Sequence, residues 1–395
     1  MKNFILVLIL MTGFASFNYL VAQDLPGQST QPVSFADAVK ENFSQWDSNG
    51  DGQLSLDEVN AALANPKIKN ESAAAIVAIE KVIRGHKYKL PPLTKDYLVA
   101  SPLKENAKSK EEADSADDES KAATFNHEPS FQQRYEKAMM KLRETSQELF
   151  PQSLPSFTAT HQEALGDCPF VSTVGAMVYR NPADIKAMFK QNNDRSFVVT
   201  FGNGKTVKIA HLTDADIAMW SSAGTNGLWF TVLEKAYRKS LVQSKNQTGD
   251  KQASIYDKFA SGQTVEIFCG HNAHAVQLKN FRSDSSNLAT LRNALSNAQG
   301  ANLLMKTGTP GEGGGKTKDL PPHVPHGHAF AILGYDDKND LVHVWNPWGN
   351  NFTPQGPDGL ENGYKTQTGQ FFVPLKEFVE IFNVINFETK SPYRD

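Results

Sequence analysis

Apolar residues at helical spacing mark the first patterned stretch of the chain. Phe35, Val39, Phe43 and Trp46 recur every three or four positions, and Leu56, Val59 and Leu63 do so again until Pro66 stops them. The spacing predicts helix, loop, helix over residues 33 to 66, with a third helix over 73 to 83. Further on, Phe131, Tyr135, Met139, Leu142 and Leu149 predict an amphipathic helix, and Val171, Val174 and Val178 predict another directly after Cys168. The pattern then changes. Residues 196–201 end at the turn Gly202-Asn203-Gly204 and find a natural partner in 206–210, while 329–335 and 341–345 flank the polar turn 336–340. Helices first and an antiparallel sheet afterwards predict an α+β fold.

Two stretches fall outside these elements. Residues 104–121 are charged and small, with no aliphatic side chain larger than Ala and no aromatic, so they cannot bury enough surface to order themselves. They predict a flexible linker over 103–128 between a small helical module (23–102) and a larger domain (129–390). At the start, Lys2 precedes an apolar run from Phe4 to Met11, and Ala22 is small enough for peptidase cleavage. Residues 1–22 read as a removed secretory signal; the apolar run is short of the roughly 20 residues a membrane anchor needs. The expected protein is therefore secreted or periplasmic, with no membrane attachment once the signal is gone.

Charge and cysteine content narrow the function. The 395 residues hold 40 Lys and Arg against 43 Asp and Glu, a formal charge of −3, so no basic footprint for nucleic acid exists. Two cysteines, Cys168 and Cys269, cannot build a disulfide framework or a four-thiolate zinc site.

Between the first two predicted helices, residues 47–58 follow the twelve-residue EF-hand calcium loop. Asp47, Asn49 and Asp51 supply side-chain oxygens, Gly52 makes the sharp turn, Gln53 offers its carbonyl, Ser55 a direct or water-bridged contact, and Glu58 two carboxylate oxygens. The competing reading, a solvated acidic turn, does not account for the spacing, the glycine and the flanking helices together. The cofactor implied is Ca2+, with structural and sensing roles both open. No second complete loop follows, so the usual pairing partner is degenerate, absent or in another chain.

Cys168 carries the candidate chemistry. It stands where an apolar helical pattern begins, so free backbone N–H groups favour thiolate, and Pro169 suits a first helical turn because its missing N–H has no partner to lose. Alone, such a cysteine is more often a small buried hydrophobe. A thiol acting as nucleophile needs a base, and the base needs an orienting acceptor. His328 heads an apolar strand, and Asn346 ends the next one. Asn346 could accept from the imidazole, Trp348 could shield that bond, and Gln162 could aim its amide at a developing oxyanion.

These stretches resemble the catalytic core of the calpain family of papain-like cysteine proteases: residues 162–168 around the thiol, 327–330 around the histidine, and 346–349 around the asparagine. Residues 227–237 are similar to the family's helix between its catalytic halves, and 369–382 to its closing strand and helix. The resemblance spans about 155–385. It implies a two-subdomain core, with a helical half carrying the cysteine and an antiparallel β half carrying histidine and asparagine. It further implies a calcium-dependent type of endopeptidase acting on protein or peptide substrates. Carried over by position, Cys168 is nucleophile, His328 general base and acid, Asn346 orienter, Gln162 oxyanion donor and Trp348 cover. Pro169 departs from the family, which has a large aromatic there.

Other features read more simply. His323 and His326 lie in a Pro-rich loop without matched zinc ligands. Residues 307–317 end like a phosphate loop, but Pro310 stands where that motif needs Gly; a mobile loop bordering the cleft is the expectation. Cys269 reads as buried. A catalytically silent calcium-binding scaffold that keeps the protease fold is the principal alternative function. A cysteine acyltransferase would want Asp in place of Asn346. The oligomeric state is left open.

Overall fold

A computed structural model describes residues 33–85, 90–100, 131–163, 166–248, 262–282, 287–311 and 319–392. The expected signal (1–22), the linker (103–128) and most of the glycine-rich part of the cleft loop (312–318) lie outside the described residues. Among those described, no helix is long and apolar enough to cross a membrane.

Four helices come first: α1 (Phe35–Trp46), α2 (Leu56–Ala64), α3 (Asn70–Gly85) and α4 (Lys95–Ala100). Ser34 caps α1 by accepting from Asp37 N–H, and Ser55 and Glu58 form a capping box on α2, each side chain serving the other's backbone. The apolar stripes of these helices do not close on themselves. They share one core with α5 (Phe131–Glu144) and α8 (Asp214–Met219), in which Phe35 stacks on Phe131 at 5.1 Å between centroids. Phe35 N–H also donates to Gln132 Oε1 at 2.8 Å, and Lys81 Nζ to Ala218 O at 3.2 Å. The helical segment and the domain after residue 129 are thus joined through a common core.

The helix predicted from Phe131 ends earlier than its apolar spacing suggests. Ser146 N–H leaves the helical ladder for Gly224 O, and Leu149 packs instead into the core around α6 (Cys168–Arg180). All side chains of α6 from Cys168 to Val178 are buried, as expected of a helix apolar on every side. Around it stand α7 (Pro182–Ala187), α9 (Trp229–Thr248), α10 (Gln263–Cys269) and a small antiparallel sheet of β1 (Phe189–Gln191), β2 (Phe197–Thr200) and β3 (Thr206–Ile209). The predicted hairpin is β2–β3, with Thr200 opposite Thr206. The first of the three strands carries too short a pattern to read from sequence, so the plan of helices first and strands after needs correction: a sheet lies within the helical half.

The second half is a six-stranded antiparallel sheet in the order β4-β9-β5-β6-β7-β8, formed by β4 (His271–Gln277), β5 (Met305–Gly308), β6 (Ala329–Asp336), β7 (Leu341–Trp345), β8 (Gln370–Pro374) and β9 (Val384–Pro392). Side-chain alternation gives the sheet two buried faces. Phe330 and Ile332 face a core with α11 (Leu288–Gly300) and α12 (Leu375–Ile381), while Ala331 and Trp345 join the core that holds α6. Gly175 lets α6 lie directly on Trp345; a Cβ there would stand 2.2 Å from the indole. This contact sets the head of α6 beside the start of β6.

Candidate active site

At that junction the structure brings Cys168 and His328 to one cleft of about 400 Å3, whose walls also include Lys306, Gly308, Thr309, Gly327 and Asn386. Asp167 caps α6 through its carbonyl, which accepts from Phe170 and Val171 N–H at 2.9 and 3.1 Å. Pro169 occupies the first turn without disturbing it. The backbone N–H of Ala329, the residue next to His328, favours the ionised form of the thiol. Both cysteines are free thiols; Cys269 is half-buried at the end of α10, rather than the fully buried residue expected from sequence.

His328 is 5% exposed. Its backbone is pinned by Thr309, whose hydroxyl accepts His328 N–H at 3.0 Å and whose own N–H donates to His328 O at 3.0 Å. Its Nε2 lies 2.8 Å from Asn346 Oδ1; with the amide oxygen accepting, Nε2 carries the proton and Nδ1 is the free basic nitrogen. Asn346 Oδ1 also accepts Trp348 N–H at 3.0 Å, and Asn346 N–H donates to Gly369 O at 2.8 Å. A side chain at position 369 would press on Asn346 O, and Gly369 has φ +79°, so this turn requires glycine. The Trp348 indole, about half exposed, lies 4.4 Å from the imidazole between centroids and covers its outer side.

Gln162 sits in the loop ahead of α6. Its N–H donates to Pro347 O at 2.7 Å, tying that loop to the Asn346 turn, and its buried Oε1 has no protein partner among the described residues. Residues 164 and 165, between Gln162 and the cysteine, lie outside the described residues. The neighbouring Glu163 is held from α5, 3.0 Å from Lys137 Nζ and 3.8 Å from the buried Lys141 Nζ.

Burial dominates the electrostatics. It pushes the Cys168 thiol up, opposed by the Ala329 N–H and by the Lys306 ammonium. It pushes His328 down to about 4, with the Asn346 bond opposing. Behind the thiol, burial and the neighbouring Glu234 carboxyl hold Asp167 well above the ordinary carboxylate range. Arg238 lies 3.9 Å from Asp167 and 3.5 Å from Glu234. Thr309, Asp167, Glu234 and Lys306 were not singled out by sequence reasoning. Only Lys306 carries a local signal there: a lone lysine within the apolar run from Leu303.

The residues of the expected calcium loop lie away from this cleft, between α1 and α2. Asp47 accepts Gly50 and Gly52 N–H, Asn49 accepts Asp51 N–H, and Asp51 accepts Gln53 N–H, so the three side chains fold over the loop. Glu58 Oε1 accepts Ser48 and Asn49 N–H, and Oε2 accepts the N–H and hydroxyl of Ser55; these bonds, led by the Ser55 N–H, hold its carboxyl near about 2. Among the described residues no group of three or more His, Cys, Asp and Glu side chains is gathered as a metal cluster. Gln53 bridges Thr94, and Leu54 N–H donates to Leu93 O at 3.1 Å, so the loop pairs with the segment ahead of α4 in the same chain. His323 lies against Phe352 at 3.9 Å between ring centroids.

A thiol at a helix head sharing a cleft with an imidazole oriented by an amide defines a cysteine hydrolase. Residues 133–387 match the family model described as calpain family cysteine protease. The chain belongs to that family, and is a cysteine peptidase acting on proteins or peptides. No curated protein matches the chain.

Proposed function

We propose that the protein is an exported, calpain-like endopeptidase that works through Cys168, His328 and Asn346 and carries calcium on residues 47–58. The observation that carries the catalytic reading is the one cleft that Cys168 and His328 both line while His328 commits Nε2–H to Asn346. Nδ1 is then the base. It takes the thiol proton as Sγ attacks the scissile carbonyl, and the Gln162 amide stabilises the oxyanion. The imidazolium returns that proton to the leaving amine as the C–N bond breaks, giving a thioester. Water, deprotonated by Nδ1, attacks the thioester, releases the carboxylic acid and restores the thiol. Trp348 keeps solvent from the His328–Asn346 bond.

The donor set of residues 47–58 suits a hard cation: Asp47, Asn49, Asp51, Ser55 and Glu58 side chains with the Gln53 carbonyl. A bound ion would draw Glu58 from the loop N–H groups it now serves and fix the angle between α1 and α2. Export rests on the pattern of residues 1–22, and the N-terminal residue of the mature protein checks it.

The test is cleavage of an unfolded protein substrate with calcium titrated from zero, for the wild type and Cys168→Ser. Loss of turnover in a folded Cys168→Ser variant is expected; retained turnover would overturn the assignment. A wild type with no hydrolysis at any calcium level would favour the silent scaffold.

A further inference from the structure

Lys306 stands on β5, between Ala331 of β6 and Asn386 of β9, and is 3% exposed. Its side chain crosses from the sheet to the helical half. There Nζ donates to Thr264 Oγ1 of α10 at 2.8 Å, to Pro169 O at 3.1 Å and to Thr173 Oγ1 at 3.4 Å, the last two on α6. All three acceptors are neutral. Among the described residues no carboxylate lies within ion-pairing distance of Nζ, an unusual setting for a buried lysine, which burial here pushes down to about 8.

Charged groups on the surrounding elements are committed elsewhere. On β9, Glu388 is paired with Arg180 and His271; on α10, Glu266 accepts Ala273 N–H. At the head of α6, Asp167 is associated with Glu234 and Arg238, and on β6 the imidazole of His328 donates to Asn346. The ammonium bonds the carbonyl of Pro169, the residue after Cys168, and the Cys168 thiol shares the cleft wall with it.

We propose that Lys306 is a positioning residue for the reaction: its ammonium, anchored under the first turn of α6, stabilises the Cys168 thiolate and ties the nucleophile's helix to the sheet that carries His328. This rests on the reading of Cys168 as nucleophile. The helix head and the Ala329 N–H offer only partial charges against the cost of burying a thiolate, whereas an ammonium supplies a full one. Its neutral anchors leave that charge uncancelled.

The test is the rate of Cys168 alkylation by iodoacetamide, a neutral reagent, followed from about pH 6 upward in a Cys269→Ser background so that one thiol reacts. His328→Ala is added so that the imidazole cannot contribute. Below about pH 7.5, where Lys306 is charged, Lys306→Gln is expected to lower the rate about tenfold and Lys306→Arg to restore it, the difference closing at higher pH as the lysine loses its proton. A folded Lys306→Gln variant that reacts as fast as its parent over this range would overturn the proposal; a merely structural lysine would give no difference that closes with pH. Should Lys306→Gln fail to fold, Thr264→Val keeps the lysine and removes its shortest contact. A smaller loss of rate below about pH 7.5 is then expected, and none would overturn the proposal. Failure of Cys168 to alkylate at any pH would instead overturn the nucleophile reading, and this proposal with it.

Discussion

His328 Nε2 and Asn346 Oδ1 meet at 2.8 Å at the ends of two neighbouring strands, and both residues are at least 95% buried. The same amide oxygen accepts Trp348 N–H, so one atom holds both the imidazole and the turn that carries the Trp348 indole. Asn346→Ala removes the acceptor and frees the imidazole to rotate. Steady-state kinetics should show kcat lowered at least about tenfold with KM little changed, because the loss falls on proton transfer rather than on substrate contacts. A fall in kcat/KM carried by KM alone would contradict the orienting role.

The buried imidazole also makes stability depend on pH. With a folded value of about 4 against an ordinary 6.5, His328 is neutral in both states above 6.5. As pH falls below 6.5 the unfolded chain takes up the proton first, so stability declines until the folded value is passed. The total loss is about 3 kcal/mol. Denaturant unfolding at pH 7 and pH 4 should show a smaller decline in His328→Asn than in wild type; equal declines would contradict the burial argument.

The seating of α6 on the sheet depends on a missing side chain. Gly175→Ala would place a Cβ 2.2 Å from Trp345 Cζ3, and Trp345 is 2% exposed with its Nε1–H donating to Thr368 O. One of the two must move, at a cost of about 2 kcal/mol. The urea midpoint should fall accordingly, with activity reduced because the same contact sets Cys168 against Ala329.

Glu58 serves both the cap of α2 and the loop ahead of it, where it accepts Ser48 and Asn49 N–H and is a donor of the proposed calcium site. Glu58→Gln should weaken calcium binding at least about tenfold by titration calorimetry, since an amide offers one neutral oxygen for two charged ones. It should also lower thermal stability in chelator. Unchanged affinity would mean residues 47–58 are not the site.

Much of the site was legible because its signals are local. Cys168 precedes an apolar helical run, His328 heads an apolar strand, and the polar turn 336–340 marks a hairpin that places Asn346 beside it. What stayed hidden depends on distant pairing. The run from His271 to Gln277 alternates poorly and is a strand because it pairs with β9, from the far end of the chain. Lys306 reads as a solvent-seeking side chain until Pro169, Thr173 and Thr264 converge on its ammonium. The apolar stripes of α1 to α3 predict helices, but not the short α4 nor that their core includes α5 and α8, since hydrophobic spacing says that a face is buried and not against what.

The most direct measurement is mass spectrometry of the intact protein treated with a peptidyl epoxide in excess calcium. The account predicts one adduct, on Cys168, none on the half-buried Cys269, and loss of the adduct in His328→Ala. Labelling that is absent from Cys168, or equally fast without His328, would contradict it.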